Sequence, residues 1–127
     1  TLFTVNVISF QKRDTPIVFS SCNSGYLFTV DMDPNPIIPG QTTTFNILAA
    51  LTSDARGRGT IEIDFYDLND AKLLNNLISF PIFMSANDTL PATIPLFHVP
   101  DADSIGIYIY VTHDDGNNLQ IACAEGQ

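Results

Sequence analysis

Residues 104–112 (SIGIYIYVT) place Ile105, Ile107, Ile109 and Val111 on one side of an extended chain and Gly106, Tyr108, Tyr110 and Thr112 on the other. A period of two sorts side chains this way in a β-strand, with one face buried and one turned to water. The pattern recurs along the chain. Tyr26, Phe28, Val30 and Met32 oppose Leu27, Thr29 and Asp31; Thr43, Phe45, Ile47, Ala49 and Leu51 oppose Thr42, Thr44 and Asn46; Ile61, Ile63 and Phe65 oppose Glu62, Asp64 and Tyr66. No stretch sustains a helical period. Strands with one apolar face bury it against another sheet, which restricts the chain to layered β architectures.

The segments between these strands carry turn chemistry. Pro34, Pro36, Pro39 and Gly40 end the first alternating run. Residues 53–59 contain Arg56, Arg58 and two glycines and read as a loop making a hairpin-type connection between the strands on either side. Residues 68–76 (LNDAKLLNN) are expected to form a short helical turn. Ile78, Phe80, Ile82 and Met84 then restore period two, with Pro81 marking an edge strand or bulge, since proline cannot donate to a ladder. Residues 93–99, with Pro95, read as similarly edge-like and bring Ile94 and Leu96 together. Asp114, Asp115, Gly116 and Asn117 supply a last turn, after which Leu119, Ile121 and Cys123 are expected on the inner face of a closing strand. Residues 3–8 are rich in β-formers and fit either a strand or a cover over apolar surface. The sum is an all-β, immunoglobulin-like antiparallel sandwich of about seven strands.

At 127 residues the chain fits one domain. Residues 1–18 form an N-terminal arm and 19–127 the sandwich. Lys12 and Arg13 make a dibasic pair of the kind cut in secretory proproteins, so residues 1–13 read as a pro-segment or as an arm with two solvated bases. Fourteen acids against five bases give a net charge of −9, which repels phosphate backbones and disfavours nucleic acid as a partner. No apolar run approaches the length of a membrane-spanning helix.

Cys22 and Cys123 are the only cysteines. About a hundred residues apart, they match neither a CxxC redox motif nor a zinc site, and one long-range disulfide is the simplest reading. The chain contains no tryptophan, and this spacing is far too long for the inter-sheet bond of antibody domains. Asn87, Asp88 and Thr89 form a glycosylation sequon in a polar stretch, which fits an oxidising compartment.

Catalytic and metal constellations are thin. His98 and His113 stand beside loops, but no nucleophile elbow or HExxH spacing accompanies them, and surface histidines are the plainer reading. Asp31 with Asp33, and Asp101 with Asp103, lack the glycine and distal glutamate of an EF-hand. No enzyme, metal or cofactor is expected. Arg56 and Arg58 suit a phosphate head group or membrane contact, or read as solvated turn arginines.

Several stretches together resemble the ML lipid-recognition family, which includes phosphatidylglycerol/phosphatidylinositol transfer proteins and Niemann-Pick-type sterol carriers. They are Cys22 followed by Gly25 and an alternating strand, the Pro34-Asn35-Pro36 turn, Gly40-Gln41, residues 78–83 (ISFPIF), Leu90-Pro91, Val99-Pro100, and the strands at 105–111 and 119–123. The resemblance spans roughly residues 19–124, and the two cysteines match the family's first-to-last disulfide. Many members carry further disulfides in loops, and this chain has none.

The resemblance implies two sheets that splay to admit lipid between them. Its walls would come from Phe45, Ile47, Ile61, Ile63, Phe65, Phe80, Ile82, Ile94, Leu96, Ile107, Ile109, Val111 and Ile121, each of which reads as ordinary core if no cavity exists. Burying a sixteen-carbon acyl chain is worth about 12 kcal/mol gross, at about 0.8 kcal/mol per methylene, before ordering costs. The expectation is a monomeric lipid-binding and transfer protein of the secreted or vacuolar/lysosomal space, holding a phospholipid or sterol and touching membranes transiently. The alternative is a closed immunoglobulin-like module that binds another protein.

Overall fold

The computed structural model describes residues 15–22 and 28–127. The possible strand at 3–8, the Lys12-Arg13 pair and the first residues of the strand expected from Tyr26 lie outside them. Among the described residues there are eight strands: β1 (Phe19–Ser21), β2 (Phe28–Asp33), β3 (Thr43–Ala50), β4 (Ala55–Tyr66), β5 (Lys72–Met84), β6 (Thr89–Leu96), β7 (Ser104–His113) and β8 (Asn118–Gly126). They form two antiparallel sheets, one ordered β1-β8-β7-β4-β5 and one ordered β2-β3-β6. The chain is an immunoglobulin-like β-sandwich, as the alternation requires.

Its core is the set of inner faces read from the sequence. Phe45, Ile47, Ile61, Ile63, Phe65, Ile105, Ile107, Ile109 and Val111 are all buried. The rings of Phe45 on β3 and Phe65 on β4 meet edge to face across the sheets, with centroids 6.1 Å apart. Ile37, in the proline-rich turn, is also fully buried and closes one end of this core.

The sandwich is held tightly along one edge. Cys22, one residue past β1, is bonded to Cys123 on β8, with Cα atoms 5.2 Å apart, and its N–H donates to the Cys123 carbonyl at 2.8 Å. The two sheets draw together here, where β1 and β8 meet β2. At the opposite edge, β5 and β6 have no comparable approach.

Four local expectations are corrected. The first concerns the passage from β3 to β4, which is a crossing between sheets and no hairpin, because the inner faces of both strands must oppose each other across the core. Leu51 starts this crossing and is tied to the second one, between β5 and β6: its N–H donates to the Asp88 carbonyl and its carbonyl accepts from the Asn87 N–H, both at 2.9 Å. Second, Arg56 and Arg58 lie inside β4, opposite Phe83 and Pro81 of β5, and not in a loop. The glycines that suggested a turn permit close approach instead. A Cβ on Gly57, at φ +146°, would fall 2.1 Å from the Thr112 carbonyl oxygen, and one on Gly59 would strike the Phe80 ring at 2.6 Å.

Third, residues 68–76 form no helical turn. Asp67 accepts from the N–H groups of Asn69 and Ala71 through one carboxylate oxygen, at 2.8 and 2.9 Å, and so closes a tight β4–β5 turn. From Lys72 the chain is strand. Fourth, the register of β7 on β8 slips between Ile109 and Tyr110, so that Ala122 and Ala124 oppose Ile109 and Ile107 while Cys123 opposes Tyr108. One extra residue thereby turns Cys123 to the outer face, while Leu119 keeps its place opposite buried Val111 and is nonetheless 51% exposed.

Candidate functional site: a groove along the β5/β6 edge

Pro81 on β5, with Pro91 and Pro95 on β6, lies on a strand that has a neighbour on one side only. Proline removes a ladder donor, which an edge strand tolerates. Both edges therefore end their sheets on the same side of the sandwich, and among the described residues nothing pairs them across the gap. Leu74, Asn76, Ile78 and Phe80 share the inner face of β5, opposite Phe65, Ile63, Ile61 and Gly59 of β4, yet each is only partly buried.

An open groove of about 230 Å³ follows from this splay. It is lined by Ile61 of β4, Ile78 and Phe80 of β5, and residues 90–94 of β6. Gly59 gives the Phe80 ring the room to lie against the floor. On the far wall Ala92 pairs with Ile47 and Ile94 with Phe45. The groove ends toward the Phe45–Phe65 contact. Its walls are mostly carbon, with the Thr93 hydroxyl on the β6 side, so it can hold apolar matter.

Of the wall residues expected from sequence, Ile61, Phe80 and Ile94 line this groove. Phe45, Ile47, Ile63, Phe65, Ile82, Leu96, Ile107, Ile109 and Val111 do not line it and are buried in the core, and Ile121 is buried in β8 at the register slip. Ile78 was read as an inner-face residue of β5 but not named as a wall, and Leu90, Pro91, Ala92 and Thr93 were not expected as lining, because the two prolines obscured the alternation of β6. Two atoms inside the sandwich break its apolar character: among the described residues Thr43 Oγ1 and Asn76 Nδ2 are buried with no hydrogen-bond partner.

The outer face of the larger sheet is polar. Asp64 is almost fully buried there, taking hydrogen bonds from Asn75 Nδ2 and, at 3.2 Å, from the Tyr66 hydroxyl, with Lys72 Nζ at 3.4 Å. Burial pushes the Glu62 carboxyl above its ordinary value, and the hydrogen bond and charge of Asp64 add to the shift. Tyr66 and Tyr110 are pushed up as well, chiefly by burial. At one end of the sandwich lie shallow depressions of about 230 and 340 Å³, flanked by Asp67, Asp70, Asp103 and Glu125. Charged walls of one sign suit neither an acyl chain nor an anion.

Arg56 and Arg58 project from the outer face of β4. The Arg56 guanidinium lies 4.8 Å from the centroid of the Phe83 ring, which is itself 79% exposed. Among the described residues neither arginine has a carboxylate at ion-pair distance, whereas Lys72 contacts both Glu62 and Asp64. Phe83 sits three residues from Phe80 on the same strand, so this cationic, aromatic spot adjoins the rim of the groove. Asn87 is exposed in the turn between β5 and β6. His98 is exposed after β6, and His113 ends β7 beside Gly57.

No protein-family profile matches the sequence, and no curated protein matches it. Among solved structures, the crystal structure of chicken MD-1 complexed with lipid IVa superposes with a TM-score of 0.57 at 15% identity, covering 92% of this chain and 91% of that one. At that identity the likeness establishes a shared fold over nearly the whole of both chains.

Proposed function

We propose that the protein binds a lipid between its two sheets and carries it between membranes. The observation that carries this reading is the apolar groove along the unpaired β5/β6 edge. The neighbour of the same fold is a complex with lipid IVa, and the sequence resemblance to the ML family points the same way.

In this reading an acyl chain or sterol ring system lies against Ile61, Ile78, Phe80 and Ile94, with the polar head at the rim. The present volume, about 230 Å³, is below the ~300 Å³ at which ligand pockets usually begin, so loading widens the gap between β5 and β6. Arg56, Arg58 and exposed Phe83 dock the rim transiently on an anionic bilayer, the arginines on phosphates and the ring among the head groups. The protein acts as a monomer without cofactor or covalent chemistry, in a secreted or lumenal compartment where Cys22 and Cys123 stay oxidised and Asn87 is glycosylated.

Native mass spectrometry of gently purified protein, together with a vesicle-to-vesicle transfer assay, decides the matter. Co-purifying lipid and accelerated transfer are expected; an unliganded mass with no transfer overturns the proposal. A second reading, a module that binds another protein, draws on the row of exposed Leu73, Leu77 and Phe83 along the outer face of β5. It predicts the unliganded result.

A further inference from the structure

Asn76 is the one polar side chain on the inner face of β5. It occupies the position between Leu74 and Ile78, opposite Ile63 of β4. Ile78 lines the groove, while Leu74 stands opposite Phe65, whose ring closes on Phe45. On the facing wall the groove runs to Ile94, the β6 partner of that same Phe45. Asn76 therefore stands one inner-face position beyond the groove's last lining residue on β5, toward the aromatic contact; it does not line the groove as it stands, and the widening of the β5/β6 gap on loading is what brings it to the end of a ligand. Its Nδ2 is buried and, among the described residues, has no acceptor.

An amide nitrogen held out of water without an acceptor is destabilising, and few native side chains are left so. Leucine at this position would continue the stripe of Leu74, Ile78 and Phe80 at no such cost. The geometry points to a ligand that supplies the missing acceptor: Asn76 Nδ2 donates a hydrogen bond to a neutral oxygen, a hydroxyl or a carbonyl, on a lipid seated in the groove. Neutrality follows from the surroundings. Among the described residues no cation lies on the inner faces, and an ionised carboxylate or phosphate would be buried there with a single neutral donor. The small volume favours one slender chain or ring system over a diacyl lipid, so the preferred ligand carries an oxygen at its buried end as well as any head group at the rim.

This inference rests on the lipid-binding reading, and its test separates the two. Dodecan-1-ol and 1-chlorododecane have similar length and apolar area, and only the alcohol offers a strong acceptor. Each is titrated against anilinonaphthalene sulfonate bound to the whole chain, in wild type, Asn76→Leu and Asn76→Val, the valine variant being a strand-compatible control in case leucine impairs folding. Wild type is expected to prefer the alcohol by roughly tenfold, the size of one neutral hydrogen bond. Both variants lose that preference while binding the chloride at least as well, and Asn76→Leu melts higher than wild type. Equal affinity of wild type for the two probes, or a preference that survives both substitutions, overturns the role of Asn76 and leaves lipid binding standing. Binding of neither probe by wild type overturns both.

Discussion

Asn35 holds Ile17 by both of its backbone groups: the side-chain oxygen accepts from the Ile17 N–H at 2.7 Å, and Nδ2 donates to the Ile17 carbonyl at 2.9 Å. One amide thus takes the place of a strand partner and ties Ile17, two residues ahead of β1, to the proline-rich turn after β2. Ile17 is buried, so its backbone groups have poor access to water. Asn35→Ala is expected to cost about 1–2 kcal/mol in urea unfolding, and Asn35→Asp, which keeps the acceptor and loses the donor, about half as much.

Reduction of the Cys22–Cys123 bond frees nearly the whole chain, since 101 positions separate its ends. Loop-closure entropy assigns such a cross-link about 4 to 5 kcal/mol. The Cys22→Ala, Cys123→Ala double variant should therefore unfold at a far lower urea midpoint, and two free thiols in denatured, unreduced wild type would contradict the bond itself.

Gly59→Ala tests the floor of the groove. The added methyl would strike the Phe80 ring, which can yield only by swinging into the space a ligand would use. A loss of about 1–3 kcal/mol is expected, with lower lipid occupancy by native mass spectrometry. Gly57→Ala meets the Thr112 carbonyl instead, a backbone atom that cannot swing aside, and should unfold the protein more severely without any selective effect on lipid.

The raised pKa of Glu62 sets a pH dependence of definite sign. Its ionisation is harder in the fold than in the unfolded chain, where the ordinary value is 4.5. Stability is therefore greatest below that value and falls as pH rises through the interval up to the raised one. Glu62→Gln keeps an acceptor for Asn75 and should flatten this decline in denaturant midpoints measured from pH 4 to 7. At the alkaline end Tyr66 and Tyr110, both raised above 10, should resist ionisation until the fold is lost, visible as a late step in phenolate absorbance.

Most of the architecture was legible because a strand with one wet face writes its period into the sequence, as residues 104–112 do. The exceptions each have a physical cause. Gly57 and Gly59 read as turn residues, since sequence does not separate a glycine that bends the chain from one that lets another strand come close. Residues 68–76 carry asparagines on both faces of β5 and so lost the alternation that Leu74 and Ile78 would otherwise show. The slip after Ile109 is a single unpaired residue, invisible without the partner strand, and it reversed the face of Cys123. For the site, the inner stripes were plain, but their union in a groove depends on which strands end the sheets. Asn76 was missed for the same reason as its strand.

The tight seam along β1, β8 and β2 and the unpaired margin along β5 and β6 divide the molecule like the spine and fore-edge of a book. Parting the sheets at the fore-edge breaks side-chain contacts but no strand ladder, and leaves the covalent bond at the spine untouched. The work of opening is thereby separated from the work of unfolding, and substitutions in the groove can tune how fast a guest comes and goes without drawing on what keeps the chain folded.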